Sequence, residues 1–252
     1  MKVLIAGESW ITLHIHMKGF DNFTNSTYEE GVGPLREALI RGGIEVDYLP
    51  NHVAGTQFPL TMEDLKPYSV VLLSDIGANT LLLNPKSFGE FQRTPNRLEL
   101  LKNYVAEGGG LCMIGGYLTF QGIEAKGCWK GTAVEQVLPT ELMATDDRVE
   151  TPEGVVPVTS ALKHPILEGI DGPWPYFLGY NRLRAKNEAK VLATVGADPF
   201  LVAWEYGKGR AVSFASDCAP HWGSPEFMAW KHYGRMWTQL CAWLGRQSKG
   251  VA

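Results

Sequence analysis

The sequence predicts a doubly wound α/β fold, a mostly parallel sheet with helices on both faces. Two observations carry this. Continuous apolar runs at residues 3–6 (VLIA), 70–74 (VVLLS) and 111–114 (LCMI) have the pattern of strands buried on both faces. Segments with helical punctuation lie between them, and strand–helix alternation implies crossover connections that bury a parallel sheet.

Taken in order, residues 3–6 end in Gly7 and form the first strand. Residues 34–41 (PLREALIR) start with proline, set Leu35 and Leu39 on one face and run into Gly42-Gly43, so a helix follows. Residues 45–49 (EVDYL) alternate as a strand, and 70–74 form a third after an unassigned segment. Residues 97–107 (RLELLKNYVAE) form an amphipathic helix closed by Gly108, and 111–114 form the next strand. From 121 to 175 the composition turns to Gly, Pro, Thr and acidic residues, with short β-prone pieces such as 154–158 (GVVPV). The expectation is one domain spanning 1–246, interrupted by an irregular insertion at 121–175, with 247–252 as a frayed tail. Order returns at 190–194 (KVLAT). Residues 200–206 (FLVAWEY) and 210–216 (RAVSFAS) flank a glycine turn, which is a hairpin signal. Residues 226–244 place Trp230, Tyr233, Trp237, Leu240, Cys241 and Leu244 at helical spacing, the mark of a helix packed on the sheet.

Composition narrows the function. The 252 residues carry 23 Lys+Arg against 27 Asp+Glu, a formal charge of −4 with no basic cluster, which argues against nucleic acid and favours a small polar metabolite. No apolar run approaches the roughly 20 residues needed to cross a bilayer, and the N-terminus has no signal-peptide pattern, so no membrane contact and a cytoplasmic location are expected. Cys112, Cys128, Cys218 and Cys241 are scattered without CxxC or finger spacing, so reduced thiols are expected and no metal or cofactor is assigned.

In open α/β sheets ligands bind beyond the carboxyl ends of the strands. Reading just past each predicted strand gives Gly7-Glu8-Ser9-Trp10, Asp75-Ile76-Gly77, Gly115-Gly116-Tyr117 and residues 217–222 (DCAPHW). His221, Asp217, Glu8 and Tyr117 are the candidate catalytic groups, since an imidazole near carboxyls and a phenol moves protons near neutral pH. Asp75, Gly115, Gly116, Ser9, Trp10 and Trp222 are the candidate ligand-binding residues. The plainer alternative makes Glu8 and Asp75 caps of local turns and His221 an ordinary loop residue. His14 and His16 would share one side of an extended segment, but an HxH pair without a third ligand is a weak metal signal. The aromatic segment 172–180 (GPWPYFLGY) reads as proline-fixed packing, with a pocket cover or a subunit contact in a homo-oligomer as the other readings.

The motifs VLIAGES, GGGLCMIGGY, HPILEGI (164–170) and FLVAWEYGKGRAVSFASD resemble the class I glutamine amidotransferase-like fold, a flavodoxin-like architecture. The likeness spans most of residues 1–245 and is nearest to the "putative glutamine amidotransferase" and trehalose-utilisation-like branches. In active members a cysteine on the sharp turn after the elbow strand attacks the glutamine carbonyl, and a late histidine with a nearby glutamate activates it. Carried onto this chain, the elbow falls at Gly115 or Gly116, and neither has a side chain. Cys112 lies earlier, inside the strand, where a buried thiol is inert. His221 matches the late histidine, but Glu226 follows it by five residues instead of two, leaving Asp217 as another partner. A glycine elbow can still offer backbone N–H groups to an anion or carbonyl oxygen. The resemblance therefore implies a glutamine amidotransferase-like protein without its nucleophile. Such a protein would bind or transform a sugar or amide by acid–base chemistry, or serve as a non-catalytic metabolite-binding or protein-interaction domain.

Overall fold

The computed structural model describes residues 1–246; the tail expected at 247–252 lies outside them. Strand β1 (Lys2–Gly7) is followed by a ribbon of β2 (Ser9–Lys18) and β3 (Asp21–Glu30). Helix Gly33–Arg41 then leads to β4 (Glu45–Leu49). Helices Asn51–Gln57 and Met62–Leu65 occupy the segment left unassigned before β5 (Val70–Ser74). Helices Ala78–Leu82, Pro85–Phe88 and Arg97–Ala106 precede β6 (Gly110–Ile114). The stretch 121–175 contains helix Ala133–Val137 and the short strands β7 (Thr140–Glu141), β8 (Arg148–Val155) and β9 (Val158–Thr159). After it come β10 (Phe177–Asn181), β11 (Arg184–Ala185), β12 (Lys190–Val195), β13 (Asp198–Tyr206) and β14 (Gly209–Phe214). Helices Pro225–Met228 and Tyr233–Leu244 close the described chain.

The main sheet runs β4-β1-β5-β6-β14-β13-β12-β9. Its first five strands are parallel, and β13, β12 and β9 extend it in antiparallel sense. This is the flavodoxin-like α/β arrangement. The apolar runs explain it: Val3, Ile5, Val70–Leu73 and Leu111–Ile114 are fully buried, as strands covered on both faces require. Helices Gly33–Arg41 and Tyr233–Leu244 pack together as one group, while Asn51–Gln57, Ala78–Leu82, Arg97–Ala106 and Ala133–Val137 form another. In the second group the buried Arg97 guanidinium donates to the carbonyls of Leu81, Ala54, Gly55 and Thr80, satisfying groups at two helix ends.

Two sequence expectations need correction, and a third holds. The chain after β1 does not pass straight to a helix but first makes the ten-residue-per-strand ribbon, whose two strands pair from Ser9–Glu30 to Lys18–Asp21. The helix read at 226–244 breaks between Met228 and Tyr233. There Trp230 packs on Trp174, and Asp171 bonds His232 (2.7 Å) and Lys231 (3.1 Å), so tertiary contacts override the helical spacing. The aromatic segment 172–180 is turned inward: Trp174 and Phe177 are buried, and Trp174 Nε1 donates to Thr159 Oγ1 at 2.8 Å. Proline-fixed packing describes it.

Candidate active site

Strands β1, β5, β6 and β14 end level with one another, through the pairs Gly7–Ser74, Ser74–Ile114 and Phe214–Ile114. The residues that follow them therefore share one edge. Strand order reverses between β1 and β5, the position at which such sheets open a crevice. Glu8 and Asp75 are the first residues beyond those two strands, and both have left-handed backbone, φ 51° and 41°; His221 also has positive φ, 151°. Three non-glycine residues in sparsely populated conformations at one edge is the kind of local strain that surrounding structure must hold in place.

A buried acid cluster forms there. The Ser74 hydroxyl donates to Glu8 Oε2 at 2.5 Å, and Cys218 Sγ lies 3.8 Å from that oxygen and 3.5 Å from Ser74 Oγ. The Glu8 backbone is fixed by its N–H to Ser74 O (2.7 Å) and by donors from Gly31 (3.0 Å) and the Tyr48 hydroxyl (3.3 Å). Gly31 packs directly on this carboxyl, since a Cβ there would stand 2.5 Å from Glu8 Oε1 and 3.2 Å from Ala219 Cβ and would displace the Glu8 side chain. Burial, reinforced by the charges of Asp217 and Asp75, pushes the Glu8 carboxyl well above its ordinary value. Burial followed by the Asp75 charge does the same to Asp217, although the Ala219 N–H donates to it at 3.1 Å. Asp75 is raised by burial, opposed by backbone donors from Leu118 and Tyr117. Glu8 and Asp217 are thus biased toward their protonated forms, and Asp75, though also raised, is the one whose carboxylate backbone donors favour. Glu8, Asp217 and Cys218 also place ligand atoms within 4.8 Å of one another. Burial raises the Cys218 thiol as well, so a cation would have to displace protons from all three groups.

The elbow after β6 is closed. Gly115 donates its N–H to Phe214 O (2.8 Å) and Gly116 to Asn181 Oδ1 (3.0 Å), while Leu118 N–H reaches Asp75 Oδ1 (2.8 Å). Asn181 is itself fully buried and donates to Gly116 O (3.2 Å) and Asp147 Oδ1 (2.8 Å). A side chain has no room at either glycine. A Cβ on Gly115 would meet Ala215 O at 2.6 Å and Asn181 Oδ1 at 2.7 Å, and one on Gly116 would meet Asp75 Oδ1 at 2.8 Å. Cys112 is fully buried in β6, its thiol raised by burial and by neighbouring Cys241. Neither it nor Cys218 supplies a thiolate.

An aromatic wall borders the cluster. The His221 ring meets Tyr117 edge-on (4.1 Å between centroids) and stacks near Trp222 (5.4 Å). Glu150 on β8 accepts from the Tyr117 hydroxyl at 3.2 Å and from Trp222 Nε1 at 3.0 Å, and Arg148 lies 5.3 Å over the Tyr117 ring. His221 Nδ1 stands 3.8 Å from Asp217 Oδ2, too far for a direct hydrogen bond but close enough for a proton to pass by way of one bound atom. The imidazole side chain is 39% exposed and that of Asp217 4%, so His221 faces solvent while the acids lie behind it.

Of the residues singled out from sequence, Glu8, Asp75, Tyr117, Asp217, His221 and Trp222 come together at this edge. Ser9 is used internally, its Oγ accepting from Asn51 N–H (2.8 Å) and its carbonyl from the Asn51 amide (2.7 Å). Trp10 stands on the ribbon, donating to Glu29 at 2.7 Å. His14 and His16 share one face of β2, as an extended segment requires, and pair with Thr27 (3.4 Å) and Asn25 (3.0 Å) across the ribbon. Sequence reasoning passed over Ser74, Cys218, Asn181 and Glu150. Ser74 could have been found as the one hydroxyl in a buried apolar strand; Asn181 and Glu150 carry no local signal. An open groove of about 940 Å³ lies along β4, between Leu4, Tyr48, Phe58 and Tyr68, and includes none of Glu8, Asp75, Asp217 and His221.

Comparison with known proteins agrees with this architecture. Among the described residues no helix is long and apolar enough to cross a membrane. No curated protein matches the sequence. The solved structure of cytoplasmic protein STM1381 from Salmonella typhimurium LT2 is 49% identical with a TM-score of 0.93, covering 97% of this chain and 99% of that one. Cytoplasmic protein STM3548 from Salmonella typhimurium is 45% identical with a TM-score of 0.94 over the same shares. A "putative thua-like protein" from Parabacteroides merdae, at 13% identity and TM-score 0.59 over 99% of this chain and 92% of its own, shares the fold alone. The family model described as "Putative glutamine amidotransferase" matches residues 2–246, and the chain belongs to that glutamine amidotransferase-like family.

Proposed function

We propose that this protein binds a small polar metabolite, a sugar or an amide, at the edge formed by Glu8, Asp75, Asp217 and His221, and transforms it by acid–base chemistry in the cytoplasm. The observation that carries the reading is the convergence of three carboxyls and one exposed imidazole at a single sheet edge. Burial and the neighbouring acids push the Glu8 and Asp217 carboxyls up, Asp75 accepts a backbone N–H from Leu118, and the imidazole of His221 stands 3.8 Å from Asp217 on the solvent side. His221 is the group that meets substrate; Asp217 resupplies or accepts its proton; the half-buried Tyr117 ring beside the imidazole offers an aromatic surface to a sugar or amide, with Trp222 buried behind it and edge-on to Tyr117. Hydrolysis of glutamine through a thioester is not supported, because the elbow lacks sulfur and its amides are engaged. The cytoplasmic location rests on the two Salmonella relatives, both called cytoplasmic proteins.

A panel of monosaccharides, disaccharides and primary amides, glutamine included, tests the reading by thermal shift and by product formation. The expected result is one responsive class, no glutaminase activity, and loss of turnover in His221→Ala with binding largely retained. Binding without product in wild type would instead favour a non-catalytic sensor. A response that His221→Ala and Glu8→Gln leave unchanged would remove the site altogether.

A further inference from the structure

The β2–β3 ribbon has no use in the site just described. Every residue from 10 to 30 is exposed. Its alternation places Ile11, Leu13, Ile15 and Met17 on one face, 63%, 64%, 63% and 72% exposed, with Tyr28 beside Ile11 at 45%. Opposite the other three stand Ser26, Thr24 and Asn22, so from the Ile11 rung to the Met17 rung this face carries no charge. Lys18, Asp21 and Glu29 project from the other face with His14 and His16. A two-stranded hairpin is marginal in water without a covering layer, and a contiguous apolar stripe of this size marks an interaction surface.

We propose that the β2–β3 ribbon is a dimerisation arm whose Ile11/Leu13/Ile15/Met17 face packs against a second copy of this chain. Two properties select that occupant. An uncharged face meets its own symmetry mate without like-charge repulsion, which an isologous twofold contact requires. The exposed apolar side chains offer on the order of 600 Å² per copy, so two ribbons face to face reach the lower end of a standard interface of roughly 1,200 Å². An anionic lipid surface fits worse, since the face has no cation and the chain is net negative. The ribbon roots at Ser9 and Glu30, next to Glu8 and Gly31, so the partner would sit beside the acid cluster.

Sedimentation velocity and light scattering on the full chain test this. Wild type is expected at twice 27.8 kDa, and Leu13→Glu combined with Ile15→Glu is expected to weaken self-association by at least about 100-fold while the circular-dichroism spectrum of the α/β domain is kept. Thr12→Glu, on the opposite face, controls for added charge and should remain dimeric. Independently of any variant, amide exchange in 11–28 should slow as wild-type concentration rises. Monomeric wild type at ~100 μM would overturn the proposal. So would a dimer that survives the double substitution, or one whose ribbon amides exchange equally at all concentrations. Ribbon-dependent binding of a monomer to phosphatidylglycerol vesicles would overturn it in favour of a lipid surface.

Discussion

The turn after β6 and the turn after β1 flank β5 at the same edge of one sheet, yet they are built for opposite ends. At Gly115–Gly116 both backbone N–H groups are spent inside the protein, on Phe214 and Asn181, and two residues on Leu118 N–H is spent on Asp75. At Glu8 the backbone is equally fixed, but burial and the neighbouring acids bias the side chain toward its protonated form. The contrast teaches that an elbow without a nucleophile need not be an open one. Asn181 and Asp75 occupy the space and the amides that acyl chemistry would need, while the acid cluster lies beyond the neighbouring strands.

Four perturbations break or sharpen this contrast, and the first should have the largest effect. Restoring sulfur at the elbow by Gly115→Cys forces Cβ against Ala215 O and Asn181 Oδ1, and is expected to cost about 3 kcal/mol in urea unfolding without creating glutaminase activity. Asn181→Ala strands the buried Gly116 amide and removes one of the two donors to Asp147 Oδ1, leaving Gly122 N–H, and is expected to cost about 2 kcal/mol by the same measurement.

The third perturbation is a pH test. A carboxyl whose folded-state pKa is raised binds more protons folded than unfolded, so its stabilisation is full below the unfolded value and is lost as pH rises through the folded one. For Glu8, ordinarily near 4.5, stability should therefore fall as pH rises above that value, and Glu8→Gln should flatten the slope. The variant should melt a few degrees higher than wild type at pH 8 and close to it at pH 4. Asp217→Asn should act in the same direction. The smallest effect is expected from Tyr117→Phe, which removes a partly exposed hydrogen bond to Glu150 and should change stability by no more than about 0.5 kcal/mol. A large loss there would mean that the aromatic wall, rather than the acid cluster, organises the edge.

The parallel strands were legible because doubly buried strands must be continuous apolar runs, and VLIA, VVLLS and LCMI admit few other readings. Glu8, Asp75, Asp217 and His221 were legible for a related reason: once strand ends are known, topology dictates that they share a rim. The ribbon was not, although residues 11–18 (ITLHIHMK) alternate as a strand does, because its partner DNFTNSTYEE shows no matching apolar alternation and no core covers either face, so the pairing was hidden. Asn181 and Glu150 were hidden because their roles depend on pairing between β10 and β8, a contact that local sequence does not encode. The break before Tyr233 was hidden for the same reason, since Asp171 lies 61 residues from His232.

The central claim is that Glu8 carries a proton at neutral pH while lying beside other acids. Infrared spectroscopy with carboxyl-directed isotope labelling reads this directly. With the label placed on glutamate carboxyls only, so that the Asp217 band is left unshifted, the account predicts an isotope-shifted protonated-carboxyl band in wild type at pH 7 that disappears in Glu8→Gln. A spectrum in which every glutamate is ionised at pH 7, with wild type and Glu8→Gln alike, would contradict it.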